Sequence, residues 1–238
     1  RRRRRRRLGK LTPTDVVDYS PDSGVGLENA IASLESGQTL RLSVDTESTG
    51  VAVESGTDVT IDLNGRELDF EGALAGSSGT KTNGMQLLMN SNIVIKDGVI
   101  KSETAKILLQ NYSNLTLDNV KLIGSPANQY VLSNNFGNII LRNGTQIIAT
   151  EGNIAFDLYY GMNRQGLYDD GITVTIEDDS VVIVGPIEYG KASRATQAAF
   201  LENTHLYIPQ GYELEAPEGF EWVDAENGNG MLELRKAK

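Results

Sequence analysis

VTIDLNGRELDF at Val59–Phe70, IVIKDGVIKS at Ile93–Ser102, LTLDNVKLIG at Leu115–Gly124, IILRNGTQIIA at Ile139–Ala149 and VTIEDDSVVIVG at Val174–Gly185 are five copies of one phrase. Each opens with a run alternating apolar and polar residues. An Asx or Asx-Gly turn follows, then a second alternating run. Strict alternation is the mark of a strand with one buried face, and repetition at a fixed period decides an architecture before any single motif can.

The three central copies start at Ile93, Leu115 and Ile139, so the steps are 22 and 24 residues. The outer steps are 34 and 35 residues, from Val59 to Ile93 and from Ile139 to Val174. Each outer step holds an insertion, EGALAGSSGTKTNG at Glu71–Gly84 and the segment around DLYYGMNRQGLYDDG at Asp157–Gly171. A further short apolar run precedes each phrase: MQLLM at Met85–Met89, KILLQ at Lys106–Gln110, YVLS at Tyr130–Ser133 and IAFDL at Ile154–Leu158. Three short strands in so few residues leave no room for a helix, and a propeller blade needs about 40–45 residues. The period predicts a parallel β-helix with three strands per rung, each strand pairing with its equivalent one turn away. At about 4.8 Å per rung, six or seven rungs make a rod about 30–35 Å long. Asn92, Asn114 and Asn138 recur at one phase, just before a strand. Asparagine tolerates left-handed backbone at sharp corners, so these three are expected to stack as an internal amide ladder.

With 238 residues the chain suffices for one domain, few aromatics suit a narrow aliphatic core, and the absence of Cys excludes disulfides and thiolate metal sites. No apolar run reaches the length of a membrane span and no secretory signal is seen. Without the leading Arg1–Arg7, the 22 Lys and Arg fall to 15 against 32 Asp and Glu. An acidic body repels phosphate backbones and anionic membranes, so nucleic acid is not expected as a partner except through Arg1–Arg7, and no membrane partner is expected. Those arginines read as a tag or a basic arm.

Residues 1–25 read as an irregular arm, 26–209 as the β-helix and 210–238 as a cap or hairpin. In VGLENAIASLESGQTLRLSVD, Leu27, Ile31 and Leu34 share a helical face and Gly37 is expected to end the helix. Such a helix would cover the open end of a solenoid. The phrase returns degraded in AAFLENTHLYIP at Ala198–Pro209, and Phe220–Val223 with Met231–Leu234 read as two strands joined by a Gly/Asn-rich turn. Both ends are thus expected to be capped.

The helix followed by TIDLNG, SNIVIKDGVIKS and SNLTLDNVKLIGS resembles the right-handed parallel β-helix proteins of the pectin-lyase-like superfamily, over roughly Leu27–Pro209. The resemblance implies the fold and leaves function open, since that superfamily includes polysaccharide lyases, glycoside hydrolases, adhesins and phage fibres. The tail LYIPQGYELEAPEGFEWV looks more like small head-fibre or capsid-decorating proteins of phages. That likeness implies a non-enzymatic virion surface protein, bound to capsid proteins through its N-terminal arm or C-terminal cap. It also implies a homotrimer and weak attachment to a surface glycan. A small lyase or hydrolase is the alternative, and a bacterial surface adhesin, extracellular or cell-bound, a further one.

Hydrolases need two carboxylates at defined separation, and lyases a Ca²⁺ site with a base. The NTD, DD, GHG and RIK elements of polygalacturonase-type hydrolases are missing, and His205 is the one histidine. No catalytic residue, metal or cofactor is therefore assigned. The candidate glycan- or protein-binding loop comprises Asp157, Tyr159, Tyr160, Arg164, Tyr168, Asp169 and Asp170, where tyrosines offer stacking faces for a sugar ring and the charged groups offer hydrogen bonds. Asp178 and Asp179 occupy the turn position of the phrase and read as a corner.

Overall fold

A computed structural model of the chain describes residues 15–76, 80–159, 171–190, 204–226 and 229–238. The described residues form an all-β fold of two large sheets. The 14-stranded sheet runs β1 (Val16–Tyr19), β2 (Thr39–Leu42), β5 (Asp58–Asp62), β8 (Asn92–Lys101), β10 (Asn114–Ile123), β12 (Asn138–Arg142), β15 (Ile172–Ile176), β18 (Thr204–Pro209), β20 (Met231–Lys236), β19 (Phe220–Asp224). Four shorter strands branch from it: β3 (Thr46–Ser48), β6 (Glu67–Phe70), β13 (Gln146–Ile148) and β16 (Val182–Val184). The 6-stranded sheet runs β4 (Val51–Val53), β7 (Asn83–Leu87), β9 (Ile107–Asn111), β11 (Tyr130–Asn135), β14 (Ile154–Tyr159), β17 (Ile187–Tyr189).

Pairing is parallel throughout, except where β20 joins β18 and β19 and at an isolated bridge between Ala75 and Asn83. Equivalent positions of the phrases fall opposite one another. Val59, Ile93, Leu115, Ile139, Val174 and Leu206 form one column, and Ile61, Ile95, Leu117, Leu141 and Ile176 the next. All are at most 4 % exposed. Burying each such side chain contributes about 1.5–3 kcal/mol, so alternation in the phrase sets which face of every strand is core.

The two runs of a phrase belong to one hydrogen-bonded sheet. In β8 and β10 they form one continuous ten-residue strand, bent at Asp97 and Asn119, which draws both runs into the same sheet. The bends are left-handed: φ is 53° at Asn64, 58° at Asp97, 55° at Asn119 and 54° at Asn143. Asx side chains tolerate this conformation. They also link rungs, Asn119 Nδ2 donating to Asp97 Oδ1 at 2.9 Å and Asn143 Nδ2 to Asp118 Oδ1 at 2.7 Å.

One outward column alternates in charge: Asp18, Arg41, Asp62, Lys96, Asp118, Arg142, then Glu177. Arg41 meets Asp18 at 2.8 Å, Lys96 meets Asp62 at 3.3 Å, and Arg142 meets Asp118 at 2.8 Å and Glu177 at 3.6 Å. Each pair is weak in solvent. Together they fix register, because a strand displaced along its axis would leave the column or meet a like charge.

The sheet ends are closed differently. Helix α1 (Leu27–Ala32) is shorter than the sequence spacing suggests. Ser33 Oγ takes up the Ala30 carbonyl at 2.7 Å, and Gly37 lies in the turn beyond, at φ 85°. Leu27, Ala30 and Ile31 pack on the core, while Glu28 Oε2 accepts the Ala52 backbone N–H of edge strand β4 at 2.8 Å. At the other end Glu233 of β20 is buried and receives Arg235 at 2.7 Å and His205 Nδ1 at 3.3 Å. Burial opposes its ionised form, but these partners outweigh that and hold its carboxyl below the usual range.

A fully buried amide pair turns the chain from the small sheet into the large one. Asn111 Nδ2 donates to Asn134 Oδ1 at 2.8 Å and to the Ser113 carbonyl at 3.0 Å, and Asn134 Nδ2 donates to the Gly137 carbonyl at 2.7 Å. A Cβ at Gly137 would stand 2.1 Å from Asn111 Nδ2 and 2.7 Å from Asn134 Oδ1. Gly137→Ala is therefore expected to lower unfolding free energy by about 1–3 kcal/mol through overpacking. Gly26→Ala, where the added Cβ meets nothing within 4 Å, loses only a preferred helix N-cap residue and should cost less, up to about 1 kcal/mol. Urea midpoints of the two variants check this.

Candidate functional site

In β14 the alternation puts Phe156 and Leu158 into the core and turns Asp157 to the opposite face of the 6-stranded sheet. Its registered neighbours are Ser133 in β11 and Glu188 in β17. Ser133 in turn faces Gln110, and Gln110 faces Gln86. Gln86, Gln110 and Ser133 are all buried, so a polar seam crosses five rungs on the non-core face. Gln110 Oε1 accepts from Asn83 Nδ2 at 2.7 Å and from Gln86 Nε2 at 2.9 Å, and Ser133 Oγ donates to Asp157 Oδ2 at 3.0 Å.

The seam ends in an acid pair. Registered residues on adjacent parallel strands lie about 4.8 Å apart, which sets the Asp157 and Glu188 backbones side by side. Burial pushes the Asp157 carboxyl up to about 6, the Ser133 hydroxyl opposes this, and the Glu188 charge adds to it. The phenol of Tyr130 belongs to the same neighbourhood, raised by burial and then by Glu188 and Asp157. A carboxyl that keeps its proton near neutrality beside a second carboxyl can act as a general acid.

Of the residues singled out in the sequence, Asp157 lies here. Tyr159 continues β14, opposite Asn135. Tyr160, Arg164, Tyr168, Asp169 and Asp170 lie outside the described residues. Asn92, Asn114 and Asn138 do bond in series, Asn114 Nδ2 to Asn92 Oδ1 at 3.0 Å and Asn138 Nδ2 to Asn114 Oδ1 at 2.8 Å. Their ladder is solvent-facing, however, and none of the three has positive φ. The expected internal position is held by Asn111 and Asn134, and the left-handed corners by the Asx turns of the phrase. Asp178 closes its corner, accepting from the Asn143 backbone N–H at 2.7 Å and from the N–H and hydroxyl of Ser180. Burial opposes its ionised form, yet these donors and Arg142 hold its carboxyl below the usual range.

Glu188, Ser133 and Tyr130 were not singled out in the sequence. Glu188 is the one charged residue of its strand and Ser133 follows the apolar run of β11, and only the register joins these two to Asp157 in a column. A second cleft of about 480 Å³ lies between Ile187 and Tyr189 of β17 and the segment Leu214 to Glu218. Tyr189 contributes a buried hydroxyl without a hydrogen-bond partner, its pKa pushed up to about 12 by burial and by Glu215.

Among the described residues no group of three or more His, Cys, Asp or Glu is placed to hold a metal ion, and no helix is long and apolar enough to cross a membrane. Comparison with protein-family profiles, with curated proteins and with solved structures finds no match.

Folded Asp157 keeps its proton up to about pH 6, whereas unfolded it releases it near 3.8. Between those values the folded state binds more protons, so stability falls as pH rises through the window. The contribution is full below about 3.8, lost above about 6, and on the order of 1–3 kcal/mol. Asp157→Asn should remove this component. Thermal melts across pH 4–7 should show wild type losing stability relative to the variant as pH rises; parallel profiles would contradict the assignment.

Proposed function

We propose that this chain is a right-handed parallel β-helix of three short strands per turn, and that its role is structural. In this reading it is a non-enzymatic module on the outside of a virion, specifically a phage head. There it presents a rigid acidic surface that protects the capsid or attaches weakly to a host glycan. Parallel crossovers within one sheet are right-handed in about 98 % of cases, which supports the handedness.

The observation that carries the structural reading is where the outward side chains of the large sheet spend their bonding capacity. The charge column from Asp18 to Glu177 and the amide column from Asn92 to Asn138 bond from rung to rung. Such stitching stiffens the stack. The acidic balance of the body, 32 Asp and Glu against 15 basic residues outside Arg1–Arg7, favours solubility and presentation over contact with nucleic acid.

One observation favours the glycan-cleaving alternative, the raised Asp157 carboxyl registered against Glu188. Retaining and inverting hydrolases both use two carboxyl groups. In that reading Asp157 donates the proton and Glu188 is the second carboxylate.

Immunogold labelling of purified particles is expected to place the chain at regular positions on the outer shell, and labelling no greater than background would refute the virion assignment. Incubation with acidic polysaccharides is expected to yield no cleavage. Cleavage that Asp157→Asn reduces by about 10² or more would instead establish the enzyme.

A further inference from the structure

We infer that the outward face of the 14-stranded sheet binds the same face of a second copy of this chain, the two stacks running antiparallel about a two-fold axis that falls midway between two rungs. The inference does not depend on the proposed function. Three parallel columns make up the part of this face that the first runs of the phrases form. The charge column lies on one side and the asparagine column on the other. Between them runs a stripe of β-branched residues, Thr60, Val94, Thr116, Ile140 and Thr175. The stripe floors a shallow groove of about 490 Å³, and Ile140 is 37 % exposed within it.

Charge complementarity selects the occupant. A column that alternates in sign at every rung matches its own reverse when displaced by one rung. With the axis between the Asp62 and Lys96 rungs, Asp62 meets the second copy's Lys96, Arg41 its Asp118, and Asp18 its Arg142. With the axis one rung further along, Lys96 meets Asp118, Asp62 meets Arg142, and Arg41 meets Glu177. Either position opposes unlike charges at every rung, while an axis passing through a rung opposes like charges throughout. The asparagine column continues as Asp58 on one side; reversal sets Asn92 against Asp58 for the first axis position and against Asn114 for the second, and an amide can donate to either. The central stripe meets another flat β-branched surface, as in face-to-face sheet packing at about 10 Å. A nucleic acid or acidic polymer would meet alternate carboxylates and is disfavoured.

Area sets the strength. Six facing rungs at about 4.8 Å by three columns at about 7 Å give roughly 600 Å² per copy, below the roughly 800 Å² of a standard stable interface. The dimer is therefore weak, reversible and dependent on ionic strength.

Sedimentation equilibrium of the full chain, run from micromolar to near-millimolar concentration at low salt, tests this. The mass should rise from 25.9 kDa towards twice that value. At about 1 M salt, where screening acts over about 3 Å, the dissociation constant should rise about tenfold or more. Thr116→Arg sets a bulky charged side chain in the central stripe, and Ile140→Lys is a second, independent lesion. Both should abolish association while circular dichroism and melting temperature stay those of wild type. A monomer at every concentration, a trimer, or association that survives both substitutions would overturn the inference. Association through Arg1–Arg7 would be salt-sensitive too, but it would survive them.

Discussion

The structure depends on one constraint: each strand of the repeated phrase hydrogen-bonds through its backbone to its equivalents on either side, in register. Parallel pairing at this spacing stacks every side chain on its equivalent about 4.8 Å away. A position in the phrase is therefore a column in space, and each column must hold residues that tolerate close stacking. Aliphatic residues do so at once, and the core columns from Val59 to Leu206 and from Ile61 to Ile176 are made of them. Polar residues need a further rule.

The chain meets that need in two ways. Amides can stack on themselves, because each offers a donor and an acceptor. The exposed series at Asn92, Asn114 and Asn138 and the buried pair at Asn111 and Asn134 both use this. Charges cannot stack on themselves, so the column from Asp18 to Glu177 alternates in sign. The bends follow the same logic, since Asn64, Asp97, Asn119 and Asn143 each accept the left-handed conformation that a tight corner imposes. The insertions at Glu71–Gly84 and around Asp157–Gly171 lengthen the connections between strands and leave the columns in register on either side.

Against this background the small sheet contains an exception. Asp157 stacks on Glu188, one acid upon another. Burial raises the Asp157 carboxyl, and a shared site of two acids disfavours double ionisation. Violations of a local rule are the places where function or strain is expected. The chemistry of this pair is not accounted for by stitching neighbouring strands together.

How much of this was legible in the sequence differs by element. Alternation in VTIDL, IVIKD and LTLDN fixed which residues face the core, and the 22- and 24-residue steps implied that equivalent strands lie side by side, because hydrophobic burial acts on any chain with that period. Asn92, Asn114 and Asn138 were visible as a column for the same reason. Their position on the solvent side was not visible, because the direction of a corner side chain depends on the bend, which the Asx turns place elsewhere. Glu188 was hidden more deeply. It lies 31 residues beyond Asp157, across an insertion whose length breaks the period, and only backbone pairing of β14 with β17 brings the two acids together. Sequence alone thus determined the columns that repeat. Tertiary structure decided which isolated polar residues meet across connections of unequal length.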